Sequence, residues 1–269
     1  MKDLIEFGGK ISKKKEIASG LIGAIVLIIF WQFITTINGG IIPPKILPSP
    51  VNVLKSIPDL VEIGLFKEMW YTISLNLTGY VYALIIAIPA GFLIGIYPLP
   101  RALFRKYIEA IRYLPLPATS GIFIAALGLG FDMKASFLAF GILIYILPVV
   151  TQRVLELQDP TNEKDNIYIQ TGKTIGMTNW QQFRYIYWPY VMGKVYSDIR
   201  SLVAISYTYV TIAESLNKEG GIGAMISTLG RQSRTPEIYA LLFIIILIGI
   251  CQDYGCKKLE PVLFPYKRK

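Results

Sequence analysis

YIQTGKTIGMTNWQQFRYIYWP, Tyr168 to Pro189, carries Gly172, Lys173 and Thr174 in the order that ends a phosphate-binding loop. Such a loop needs G-x-x-x-x-G-K-[ST], because the first glycine frees the backbone whose N–H groups wrap the phosphates. Ile167 stands at that first position, and the upstream LQDPTNEKDN is polar and helix-starting rather than a buried strand. The stretch is therefore no nucleotide site and reads as helix, turn, helix. Asp159 and Pro160 form a cap and first-turn pair, Gly176 is a break, and Thr178 with Gln181 forms a capping box. Tyr185, Tyr187, Trp188 and Tyr190 follow as an interfacial aromatic belt. A short helix held between two membrane helices is suited to being pushed, since its displacement reaches both. An elbow without a partner is the plainer alternative.

The flanking sequence puts this unit in a membrane. Of 269 residues 53% are hydrophobic and only 17% charged, against about 25% in soluble domains. Apolar runs of spanning length lie near 19–37, 73–97, 113–130, 135–152, 189–213 and 237–256, predicting six helices. With the N-terminus in the cytoplasm, 18 lysines and arginines fall inside, in 1–18, 101–112, 153–188 and 257–269, and 7 fall outside: Lys45, Lys55, Lys67, Lys134, Lys218, Arg231 and Arg234. That asymmetry predicts both termini in the cytoplasm. It also accounts for the formal charge of +9 by contact with anionic lipid, without nucleic acid. The first span, preceded by Lys13–Lys15, reads as an uncleaved helix, because no small-x-small site follows it. The expected organisation is one transmembrane domain over 1–269, with a cytoplasmic tail at 1–18, a cytoplasmic loop at about 153–188 and a second tail at 257–269.

Catalysis has little to work with. The chain has no histidine, and no paired carboxylates share one span, so an enzyme is not expected and neither is a metal site. Cys251 and Cys256 lie about 140° apart around one helix and cannot pair with each other. Between the first two spans, prolines precede a short amphipathic helix starting at Pro50. Pro89 and Gly91 interrupt the second span, and RYLPLPATSG, Arg112 to Gly121, suggests a bend beside a cavity or a plain kink.

In these residues the chain resembles the permease subunits of ATP-binding-cassette importers, whose cytoplasmic loop carries E-A-A-x3-G-x9-I-x-L-P. Gln170, Thr171 and Gly172 stand at the triplet, Gly176 at the glycine, Ile186 at the isoleucine and Pro189 at the proline, while Trp188 replaces the leucine. LPSPVNVL, PAGFLIG, RYLPLPATSGIFI, DIRSLVAISYTYVTIAES and GGIGAMI follow the same family in order and spacing. The resemblance is nearest to the branch importing nitrate, sulfonates such as taurine, and bicarbonate. It implies an all-α polytopic membrane protein with the type I importer permease fold, in a bacterial cytoplasmic (inner) membrane. It further implies that Gln170, Thr171, Gly172, Lys173, Thr174, Gly176 and Arg184 belong to a coupling helix docked on an ATPase. Two ATPase subunits, a second permease chain and an extracytoplasmic solute-binding protein are the implied partners. ATP and Mg would sit on the ATPase, with no cofactor on this chain. Glutamine at position 170 would replace a carboxylate contact by an amide one.

Pathway candidates are the polar side chains of apolar spans: Asn76, Tyr80, Thr119, Ser120, Ser206, Tyr207 and Thr211. Hydroxyls bonding their own helix carbonyls are the bland alternative. Lys194 and Asp198 are spaced i,i+4 and read as an ion pair, with a gate or anion path as the functional alternative. Arg200 lies toward the cytoplasmic side, and Glu214 begins a glycine-rich outer loop or simply ends a solvated helix. The resemblance implies an ATP-driven importer permease for a small anion, with which the basic Lys194 and Arg200 are compatible. A secondary transporter and a non-transporting scaffold stand as alternatives.

Overall fold

The computed structural model describes residues 12–36, 42–217 and 219–268. Most of the expected 1–18 tail and Lys218 lie outside them. The described residues are helical almost throughout: α1 Lys13–Thr36, α2 Pro50–Lys55, α3 Ile57–Glu62, α4 Leu65–Ile96, α5 Pro98–Ile111, α6 Ser120–Leu127, α7 Phe131–Gln158, α8 Glu163–Thr174, α9 Asn179–Gln182, α10 Trp188–Ser201, α11 Val203–Ser215, α12 Ile222–Arg231 and α13 Thr235–Leu263. The chain divides into two compact units, 1–64 with 229–243 and 65–228 with 244–269.

In the first unit α2 starts where the sequence places it, at Pro50, with the Ser49 side chain accepting from Asn52 N–H. Trp31 of α1 packs on Tyr239 and Phe243 at 6.2 and 5.7 Å and donates Nε1–H to the Pro48 carbonyl at 3.0 Å. Thr235 and Tyr239 hydroxyls donate to the carbonyls of Lys45 and Ile46. Prolines leave those carbonyls without a helix, and side chains of α13 take them instead.

The second unit is built on α4 and α7. An added Cβ at Gly79 would lie 2.5 Å from Leu138, at Gly91 2.6 Å from Val150 and at Gly95 2.5 Å from Val154. Only a glycine allows backbones this close, a device of helix packing in lipid. The three pairs share one offset of 59 positions, so α4 and α7 run in the same direction in fixed register. Against them α10 and α11 run the other way, because partners rise on α4 as they fall on the second strand of the pair: Thr72 with Glu214, Asn76 with Ser206, Tyr80 with Ile199. α13 reverses once more, with Tyr207 on Gln252, Arg200 on Asp253 and Tyr196 on the Cys256 carbonyl.

Two expected spans take another form. The third is not one helix: Pro115 and Pro117 cannot supply helical N–H groups, and Pro98–Ile111 meets Leu116–Leu127 at 104°. The fifth is divided at Leu202 into α10 and α11. Four described helices, α1, α4, α7 and α13, are long and apolar enough to cross a membrane, or five spans with the bent pair. Pro89, Pro148 and Pro261 sit inside continuous helices.

The glycine contacts yield a test. Gly95→Val should force apart backbones that Val154 already touches, costing about 1–3 kcal/mol as overpacking does. The thermal midpoint of the detergent-solubilised protein should fall, whereas Gly23→Val, with nothing within 4 Å of the new Cβ, should leave it unchanged.

Candidate functional site

The expected coupling loop folds as the sequence indicates, with one change at its start. Asp159 does not cap α8. Its carboxylate accepts from Thr161 N–H and hydroxyl in a separate turn, and α8 begins at Glu163 behind Asn162, three residues later than expected. Hydrogen bonds from Thr161 also hold this exposed carboxyl below the usual carboxylate range. Gly176 ends the unit with φ +75, a left-handed turn that other residues rarely adopt. Thr178 and Gln181 make both bonds of the capping box. A π turn, Phe183–Tyr187, then leads into α10.

α8 has two faces. Asn166, Ile169 and Gly172 are buried, while Ile167, Tyr168 and Ile175 are exposed. Asn166 donates to the Gln158 carbonyl at 3.1 Å and accepts from Gln170 at 2.9 Å. Gly172 is where α8 presses on the π turn, since an added Cβ would lie 2.7 Å from Ile186. Gln170 is exposed apart from that bond to Asn166, and Thr174 bonds the Gln170 carbonyl. Trp188, where the family pattern has leucine, stacks on Phe92 of α4 at 5.6 Å and 17°, and Phe183 meets the same ring edge-on.

The charges of α10 are claimed by other elements. Lys194 and Asp198 do not pair with each other. Lys194 bonds Asp165 of α8 at 3.1 Å, and Asp198 receives Arg153 of α7 through two bonds of 3.0 Å. The physical reason is geometry: a planar guanidinium offers a carboxylate two parallel donors, which an ammonium one turn away does not. Asp165 also accepts from Tyr190 and Asn162. Burial alone would raise its pKa, but these donors and Lys194 outweigh burial and hold it below the ordinary carboxylate value. Arg200 bonds Asp253 at 2.9 Å and Glu260 at 3.5 Å, and Glu260 takes Lys267 as well. The Tyr266 hydroxyl donates to the Pro189 carbonyl, so the chain's last turn lies beside the start of α10.

The polar pathway candidates fall into two groups. Asn76 and Ser206 are fully buried and joined at 2.8 Å, and Gln252 extends the network by donating to Asn76 and accepting from Tyr207. Tyr80 reaches the Ile199 carbonyl at 3.5 Å. Thr119, Ser120 and Thr211 instead bond nearby carbonyls of their own segments, at Leu116, Pro117 and Tyr207. Gln252 is missing from the sequence candidates because an amide on an apolar helix carries no spacing signal of its own.

Glu214 is no solvated helix end. It is fully buried, accepts from Thr72 Oγ1 and from Gly223 N–H at 2.8 Å each, and Thr72 in turn accepts from Ile222 N–H at 2.9 Å. Glu68 takes the Gly221 N–H. Gly221 and Gly223 are required here, since an added Cβ would lie 2.1 Å from the Glu214 carboxyl carbon and 2.5 Å from the Thr211 carbonyl. The first turn of α12 is thereby pinned to α4 and α11. Nearby Lys134, counted among outer loops by charge, is fully buried in α7 and donates to Tyr71 at 3.2 Å.

Two predictions follow from these contacts. Glu214→Ala strands the Gly223 N–H and the Thr72 hydroxyl, at about 1–3 kcal/mol for each buried donor left without a partner. It should lower the thermal midpoint more than Asn217→Ala, on the exposed loop. For Asp165 the folded carboxyl is the more acidic one, so its stabilisation is full above the unfolded value near 3.8 and is lost as pH falls below it. Protection of the α8 amides, measured against their intrinsic exchange rates, should fall on acidification through that range, and Asp165→Asn should abolish that fall.

Comparison with known proteins adds relatives to this geometry. Residues 83–254 match the family described as binding-protein-dependent transport system inner membrane component. The chain is 22% identical over 253 residues to the formylaminopyrimidine transport permease protein of Halalkalibacterium halodurans, covering 91% of this chain and 94% of that one. It is 22% identical over 247 residues to the taurine transport system permease protein of Escherichia coli strain K12, covering 90% and 86%. Among solved structures, a chain of the inward-facing MetNI methionine ABC transporter superposes with TM-score 0.56 at 16% identity, covering 74% of this chain and 95% of that one.

Proposed function

The chain belongs to the family of binding-protein-dependent transport inner membrane components and is a multi-pass permease subunit of an importer, and from that premise we propose that it moves a small solute by ATP-driven alternating access. The observation that carries the coupling role is the mounting of α8. Its exposed face, Ile167, Tyr168 and Ile175, is free, while Asp165, Asn166 and Gly172 tie its other face to α10, the end of α7 and the π turn. A partner pressing on the free face would act on the bundle without a slack joint between. Lys173, Thr174, Arg184 and the exposed amide of Gln170 then serve as contacts to an ATPase that holds ATP and Mg. Two such ATPases, a second permease and an external solute-binding protein complete the assembly. Both termini face the cytoplasm of a bacterial inner membrane, following the distribution of lysine and arginine.

For the solute we favour a small anion such as nitrate, a sulfonate like taurine, or bicarbonate. The support is the branch resemblance and the taurine permease among the relatives. An organic solute such as a formylaminopyrimidine is the second reading, favoured by the formylaminopyrimidine permease. A proton-driven carrier fits less well, because it needs a free titratable carboxylate in the path. Asp198 is held by Arg153, and Glu214 is spent on Thr72 and the α12 backbone.

Native mass measurement of the tagged chain, extracted in mild detergent, should show two permease and two ATPase chains together. A lone chain that still drives uptake into vesicles lacking ATP would refute the coupling role of α8.

A further inference from the structure

Because α4 and α7 run in the same direction at one fixed offset, the chain between them must travel back along the pair before α7 begins. Pro98–Leu127 makes that return as two helices set at 104°. Its course along α7 is marked by contacts. Arg101 bonds Gln158, Arg112 borders a cleft with Pro148 and Gln152, Leu116 lies against Gly141, and Phe123 meets Phe137 edge-on. The α7 numbers fall steadily, so the segment crosses to the opposite end and does not dip in and retreat. Gly141 stands 10 residues from the start of α7 and 17 from its end, about 15 and 26 Å at 1.5 Å per residue. The break beside it is therefore inside a hydrocarbon layer of about 30 Å.

At that depth the break is bare. Tyr113 is 89% exposed, and Leu114, Pro115, Pro117 and Ala118 are exposed beside it. The carbonyls of Tyr113 and Leu114 accept no hydrogen bond among the described residues. Lipid tails offer such carbonyls nothing, and irregular backbone at membrane depth survives only within protein or beside water. Water has an approach to it: a cleft of 260 Å³, bordered by Glu109, Arg112, Pro148, Val149, Gln152, Arg153 and Glu156, runs along the later part of α7 and reaches Arg112, the residue before the break, roomy against the ~30 Å³ that one liquid water occupies.

The geometry points to the break Tyr113–Ala118 lining a water-filled path at mid-depth, with its free carbonyls and the Tyr113 hydroxyl presented to whatever small polar solute passes. This deepens the transport reading and rests on it for the solute, but water contact itself needs neither ATP nor transport. The test uses Tyr113→Cys, Ala118→Cys and Ile122→Cys, each in a Cys251→Ser, Cys256→Ser background, with the full chain and its co-purifying partners in lipid nanodiscs. Variants that elute as the native assembly are treated with a charged, membrane-impermeant thiol dye. The expected result is labelling at positions 113 and 118, with no loss of fluorescence when the lipids carry brominated acyl chains. Absence of labelling would overturn the proposal in favour of a break covered by lipid or protein, and labelling whose fluorescence those chains quench would overturn it in favour of a break at the lipid boundary. Position 122, also exposed and one turn past Ala118, is expected to label likewise and keeps the test available where a variant at 113 or 118 fails to assemble. Missing uptake with labelling intact would count against the transport reading alone.

Discussion

The close approach of α4 to α7 at Gly79, Gly91 and Gly95 is the constraint on which the second unit depends. Helices in lipid gain nothing from hiding apolar surface that lipid would cover as well, so backbone proximity and dispersion have to hold them. Three glycines on one helix against Leu138, Val150 and Val154 on the other supply both, and their common offset fixes direction as well as distance. Everything between and after must obey that direction. The connection has to return, and α10–α11 lies antiparallel to α4.

Polar groups are then distributed by the ends of this frame. At one end Glu214 and Glu68, with Thr72 between them in space, receive three successive N–H groups at the start of α12, those of Gly221 just before it and of Ile222 and Gly223 within it. These are the donors that a helix start leaves unpaired, and the positive end of the helix dipole favours the carboxylates there. Toward the other end, Arg153, Lys194 and Arg200 each find a carboxylate on a different element. Ions inside a membrane protein cost several kcal/mol unless paired or wet, which explains why no charge of α10 is left alone.

Local signals were legible in the sequence. The capping box at Thr178, the turn at Gly176, the start at Pro50 and the interruption at Pro115 and Pro117 each follow from one or two residues and their backbone preferences. Signals that depend on another element were not. Spacing pairs Lys194 with Asp198 because an i,i+4 rule knows only its own helix, whereas Asp165 and Arg153 lie 29 and 45 positions away. Charge counting put Lys134 in an outer loop, although Tyr71 and the surrounding carboxylates let it stay buried in α7. The 104° bend is likewise set by a return path that no local pattern encodes, and Trp188 departs from the family pattern for a ring on α4.

That last contact bears on the lever role proposed for the loop. α8 is joined to α10 through Asp165 with Lys194 and Tyr190, and to α7 through Asn166 on the Gln158 carbonyl. Through Gly172 and Ile186 it rests on the π turn, whose Phe183 and the following Trp188 enclose Phe92 of α4. A force on α8 is thus shared among three helices, each held by a different chemistry: ion pair, backbone hydrogen bond and aromatic stack. Salt or acid weakens the first and leaves the stack untouched. Because α4 and α7 are locked in register and Arg153 of α7 holds Asp198 of α10, a force on α8 would load these three helices together.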